Sequence, residues 1–173
     1  MRRTTVVVFL AVFGLTVAAC GGSSDETTSD PWGLDAVTEP TSQEEINVNF
    51  LAMPDEIDGM TAQREDGDHI GGVMYSGEGS AGVTIRQVGK DDRATTMEQL
   101  ELIASNEAFA ELDSNLDSDA ATVWLYGTLL EEGDEQILYW GDPSDGLLFV
   151  FDADTAEHLD ALVAEFISAA SET

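Results

Sequence analysis

The chain has one cysteine, Cys20, two histidines, His69 and His158, and a single lysine, Lys90. A lone cysteine cannot close a disulfide within one chain, so the fold must be held by its core. Cations are as scarce: 6 Lys and Arg stand against 35 Asp and Glu, for a formal net charge of −29. A field of that sign repels phosphates and anionic headgroups, which argues against nucleic acid as a partner and leaves cationic partners and divalent metals. Spread over a surface, carboxylates also keep a protein soluble where salt is high, because screening weakens their mutual repulsion. A salt-rich habitat fits that reading. No apolar run reaches the roughly 20 residues that cross a bilayer. The sequence also lacks Gly-x-Ser-x-Gly, His-Glu-x-x-His, P-loop and dinucleotide fingerprints.

What is present is organised around Val17-Ala18-Ala19-Cys20. Arg2 and Arg3 precede an apolar run from Val6 to Ala19, which has the length of a signal-peptide core, and a polar stretch from Gly21 to Ser24 follows it. The pattern resembles the lipobox of bacterial lipoproteins, with Val17 where leucine is commoner. That resemblance implies a lipid on the Cys20 sulfur, palmitate among its acyl chains, and removal of residues 1–19. It places the protein on the extracytoplasmic face of a cell membrane, lipid-anchored, because two or more acyl chains hold where one binds only marginally. The alternative is an ordinary secretory signal with an incidental Cys20. Three parts follow: a signal peptide over 1–19, a lipidated cysteine with a flexible acidic tether over 20–42, and one domain over 43–173. The tether is rich in Gly, Ser, Thr, Asp and Glu, with Trp32 and Leu34 its large apolar residues, and buries too little to offset its ordering entropy.

Within the domain, Ser42 and Glu45 have capping-box spacing, which predicts a short helical turn before Phe50. Met60 to Arg64, Ile70 to Ser76 and Gly82 to Val88 read as strands, the last two joined across Gly77-Glu78-Gly79-Ser80. Thr95 and Glu98 repeat the capping box, and Met97, Leu100, Ile103 and Ala104 recur at helical spacing, predicting a helix from Thr96 to about Leu112 with a break near Ser105-Asn106. Asp113 to Asp119 reads as an acidic loop. Ala121 to Leu130 is a strand, and Gln136 to Trp140 with Leu147 to Asp152 forms a hairpin across Asp142 to Gly146. Asp154 is the expected cap of a closing helix whose Leu159, Leu162, Val163, Phe166, Ile167 and Ala170 form one stripe. The expected fold class is α+β: a mostly antiparallel sheet of about six strands, with a mid-chain helix and a C-terminal amphipathic helix packed on it.

The series Pro54 to Gly59, Met74-Tyr75, Val83 to Val88, Leu138-Tyr139-Trp140, Leu147 to Phe151 and a closing helix resembles small domains of extracytoplasmic bacterial lipoproteins and the outer domains of some anti-sigma factors. It is similar in outline to the Mog1/PsbP-like lipoproteins of actinobacteria. These resemblances imply a binding or sensing role and bring no catalytic residue with them.

Candidates for chemistry are sparse. His69 stands in Asp66-Gly67-Asp68-His69, where an imidazole beside carboxylates suits a metal or a catalytic pair, although such a run is more often a solvated turn. His158 lies one residue off the apolar stripe of the last helix, which predicts exposure. Calcium wants several carboxylates converging from loops, and Asp113, Asp117, Asp119, Asp142 and Asp145 are the candidates beside the Glu131 to Glu135 turn. In so acidic a chain such clusters arise from composition alone. Trp124, Tyr126, Tyr139 and Trp140 could form an aromatic patch, against the commoner service of strand aromatics in a core. The sequence therefore reads as a non-catalytic binding, sensing or scaffold module, tethered to the membrane by lipid on Cys20, with a protein or cationic partner in the envelope. An envelope hydrolase and a calcium-binding module are the alternatives.

Overall fold

The computed structural model describes residues 30–37, 40, 42–64, 70–77, 83–89, 93–130, 135–144 and 147–172. The fold is α+β. Eight strands form one antiparallel sheet in the order β1-β2-β3-β4-β8-β7-β6-β5, larger by two than the six strands read from the sequence. Each half of the chain is a four-stranded meander followed by a helix. β1 (Glu56–Ile57), β2 (Met60–Arg64), β3 (Gly72–Ser76) and β4 (Val83–Gly89) lead into α2 (Arg93–Ala104). β5 (Phe109–Ser114), β6 (Val123–Leu129), β7 (Glu135–Gly141) and β8 (Leu147–Ala153) lead into α3 (Ala156–Ser171). The halves meet where β4 pairs with β8, from Val83 opposite Ala153 to Gly89 opposite Leu147.

α1 (Gln43–Ala52) opens the domain as a full helix rather than the single turn expected. Ser42 caps it: its Oγ accepts from the Glu45 backbone N–H at 3.3 Å and donates to Glu45 Oε2 at 3.2 Å. Its far end is closed by a cation, as the helix dipole favours. The Arg64 guanidinium donates to the carbonyls of Phe50 (3.2 Å), Met53 and Pro54 (3.2 Å), and to Asp55 Oδ1 (2.9 Å). Asn47 Oδ1 accepts from the Ile70 backbone N–H at 2.9 Å and so ties α1 to the entry of β3. β1 is too short to show a pattern, and its hairpin to β2 turns through Asp58 (φ 48°) and Gly59 (φ 80°), the left-handed pair that a two-residue hairpin loop demands.

The sheet is covered on both faces. On one lie α1 and α3, over a core that includes Tyr75, Trp124, Leu138, Trp140, Phe149 and Phe151. Phe166 of α3 sits in the middle of it, its ring centroid 5.2 Å from Phe149, 5.4 Å from Phe151 and 6.2 Å from Trp140. On the other face α2 packs Leu100, with Met97, Ile103 and Ala104, against Val123, Leu125, Tyr139 and Leu148. Burial on both faces explains why the alternation in β6 is hard to read: Val123, Trp124 and Leu125 are consecutive and all buried.

The expected helix from Thr96 to Leu112 is split. α2 ends at Ala104, Asn106 turns the chain by accepting the Ala108 N–H on its Oδ1 at 3.0 Å, and Phe109 onward is the outer strand β5. β5 carries a bulge, in which Glu111 and Leu112 together oppose Gly127, and Glu111 takes a positive φ of 52°. The start of the expected acidic loop, Asp113 and Ser114, is thus strand, since these residues pair with Tyr126 and Leu125. The beginning of the domain also differs. Leu34, read as part of the tether, is 0% exposed in a short 3-10 turn (Leu34–Ala36), so the packed domain takes in residues from Asp30 onward. The turn enters through Gly33 at φ 80°, a left-handed conformation natural to glycine.

Candidate functional site

A concave surface lies between α3 and the segment that precedes α1. Asp30 builds that segment. Its Oδ1 accepts the Trp32 backbone N–H at 2.9 Å and its Oδ2 accepts that of Asp35 at 3.0 Å, which folds the chain back on itself. The turn presses the Trp32 ring onto the sheet, with centroids 5.8 Å from Trp124 and 5.2 Å from Tyr126. Tyr126 is fixed in turn, because its hydroxyl donates to Gln136 Oε1, which also accepts from Thr128 Oγ1 at 3.2 Å. α3 is therefore flanked by α1 on the β2–β3 side and by the Trp32 segment on the β6 side.

Between Trp32 and α3 a groove of about 440 Å³ is lined by Pro31, Trp32, Asp160, Val163, Ala164 and Ile167. The lining follows from helical geometry. Val163 belongs to the buried stripe of α3, and Asp160, Ala164 and Ile167 lie one turn before it, beside it and one turn after it on the adjoining flank. The groove is apolar with a single carboxylate at its rim. Asp160 makes no hydrogen bond or ion pair among the described residues, where the cations Arg64 and Arg93 both bind backbone carbonyls, Arg93 those of Ala120 and Ala121 at 3.0 and 3.1 Å.

His158 is half-buried rather than exposed, and its Nδ1 lies 2.5 Å from Asp154 Oδ1. This pair occupies Asp154, so the cap of α3 is Thr155, whose Oγ1 accepts the His158 N–H at 3.2 Å. His158 precedes Asp160 by two residues, about 200° around the helix, and so sits on the flank away from the groove. Among the described residues no serine, threonine or cysteine side chain lies within hydrogen-bond reach of its ring.

Among the described residues the remaining sequence candidates do not converge. Among the described residues no three His, Cys, Asp or Glu side chains come together as a metal site. Asp113 and Asp142 bind their own chain, accepting the backbone N–H of Ser114 at 2.9 Å and of Ser144 at 2.7 Å. Asp145, His69, Cys20 and the turn 131–134 lie outside the described residues. The four aromatics do not make one patch. Trp124 and Trp140 are cross-strand partners and fully buried, whereas Tyr139 points to the opposite face of the sheet. The residues that do form a groove with α3, Pro31 and Trp32, stood in the stretch read as tether. The signal that could have found them is Asp30-Pro31-Trp32-Gly33, an Asp-Pro turn with an aromatic and a glycine, which is turn chemistry and not tether chemistry.

Among the described residues, Tyr75 has a titratable group that its environment shifts clearly. Burial pushes its hydroxyl up to about 12, with nearby Arg64 pulling the other way and Glu165 and Asp55 adding to the rise. The hydroxyl donates to the Pro54 carbonyl at 2.8 Å, so its role is to lock α1 to the sheet. Among the described residues no helix is long and apolar enough to cross a membrane. Compared with protein-family models, curated proteins and solved structures, the chain matches none of them.

Proposed function

We propose that this protein is an extracytoplasmic lipoprotein, held at a membrane by lipid on Cys20, whose domain binds a ligand or partner without transforming it. The observation that carries the binding role is the groove between Trp32 and α3, with an aromatic and aliphatic wall and one carboxylate that is unpaired among the described residues. Binding sites for small ligands are mostly apolar concavities with a few placed polar groups, and this one has that composition. Its place suits the tether. Trp32 stands twelve residues beyond Cys20 in the sequence, so a ligand would be taken up close to the membrane surface.

The experiment follows the lipid. Cells expressing the full chain are fed an alkyne-tagged palmitate, and the protein is recovered from the membrane fraction, with protease added to intact spheroplasts to report its side. Label and membrane recovery that vanish in Cys20→Ser support the reading. Label that persists in that variant, or protease resistance that ends only on lysis, overturns it.

A further inference from the structure

Resting on the binding role proposed above, we propose that the groove between Trp32 and α3 takes a small organic cation: an ammonium or guanidinium group carried on an apolar body. Chemical complementarity carries the argument. Pro31, Trp32, Val163, Ala164 and Ile167 offer apolar surface to the body of such a ligand, and Asp160 stands at the rim as the one charged group in the lining. A volume of about 440 Å³ is that of a small-molecule site. An indole in the wall favours a cation over a neutral group of equal size, because the electron-rich ring attracts positive charge.

Two further features fit a preformed site. Trp32 does not swing freely, since its backbone is held by Asp30 and its ring by Trp124 and Tyr126. The indole therefore needs no ordering when the ligand enters, which favours affinity. Asp160 makes no ion pair within the described fold, so a ligand cation does not have to displace one. The net charge of −29 draws cations to the whole surface and anions away from it, which makes a carboxylate or phosphate ligand in this groove unfavourable.

The test uses the full chain, purified from membranes and inserted in neutral phosphatidylcholine nanodiscs at 150 mM NaCl. The probe is phenyltrimethylammonium, and tert-butylbenzene is its neutral isostere; binding is followed by calorimetry and by tryptophan fluorescence. Saturable binding of the cation, at least tenfold tighter than that of the isostere, is expected. Asp160→Asn should weaken it at least tenfold, whereas Glu101→Gln, an exposed carboxylate on α2 across the sheet, should leave it unchanged. Unfolding midpoints of the variants establish that the fold persists. Equal binding of both probes overturns the inference, as does equal weakening by the two substitutions, which would mean diffuse attraction, or binding that does not saturate. These outcomes are separable from the lipid experiment: a labelled Cys20 with no cation binding removes this inference alone, and cation binding by an unlabelled protein removes the tether alone.

Discussion

Leu112 occupies the space that a side chain at Gly127 would need: a β-carbon there would stand 2.6 Å from Leu112 Cδ2 and 3.0 Å from Phe109 Cδ1. The β5 bulge makes this closeness possible, because its extra residue turns Leu112 inward over the strand beside it. Gly127→Ala is expected to destabilise the domain by about 1 kcal/mol, the low end for overpacking, since β5 is the outer strand and can shift. Denaturant unfolding of Gly127→Ala, Leu112→Ala and the double variant measures it. The double variant should be more stable than the sum of the single losses implies.

Arg64 closes α1 through a planar fork that reaches several carbonyls at once. Arg64→Lys keeps the charge and loses the fork, and a loss of about 1.5–3 kcal/mol is expected from hydrogen bonds to a charged group. Asp55, whose side chain is 94% exposed, completes the ion pair, yet Asp55→Asn should leave the unfolding midpoint within error. A large effect at Asp55 and none at Arg64 would reverse this assignment.

Tyr75 ties stability to alkaline pH. Its folded-state value of about 12 lies above the ordinary value of 10.0, so the folded state holds the proton that the unfolded chain gives up first. The contribution is complete below pH 10 and is lost as pH rises from 10 to 12. Thermal unfolding across that window should fall more steeply for the native chain than for Tyr75→Phe, and identical slopes would count against the burial of this hydroxyl.

Screening should stabilise so acidic a surface. The unfolding midpoint is expected to rise by several degrees between dilute buffer and molar NaCl, and CaCl2 at matched ionic strength should add nothing further. A specific rise with calcium would instead signal linkage to a bound ion and would direct mutagenesis to Asp113, Asp117, Asp119, Asp142 and Asp145.

The legible parts of this fold are those whose signal is local. α3 carries its apolar stripe in consecutive turns, and Leu159, Leu162, Val163 and Phe166 are all buried as the spacing implies. β2 matches its expected limits, and β3, β4, β6, β7 and β8 match within about two residues, because runs of β-branched and aromatic residues between turn residues mark them. The misreadings have physical causes. Phe109 and Leu112 continue the three-residue spacing of Leu100 and Ile103, so a helix appeared to run on, while the bulge at Glu111 removed the alternation that marks a strand. Asp154 has the chemistry of a cap, but its carboxylate is engaged by His158 four residues on, and Thr155 caps the helix instead. The groove was invisible because its two walls, Pro31-Trp32 and Asp160 to Ile167, lie at opposite ends of the chain and meet only across β6 and α3.

The pairing of β4 with β8 decides when this protein can become itself. The two innermost strands come from different halves, and each half alone would present a long unpaired edge on which another chain could assemble. A chain made from its N-terminus brings β4 out long before β8, so the first half must wait, unzipped, for the second. A translation product truncated before Leu147 would keep every residue of the first meander and still have no centre, and such fragments should be removed by proteases rather than accumulate as a smaller domain.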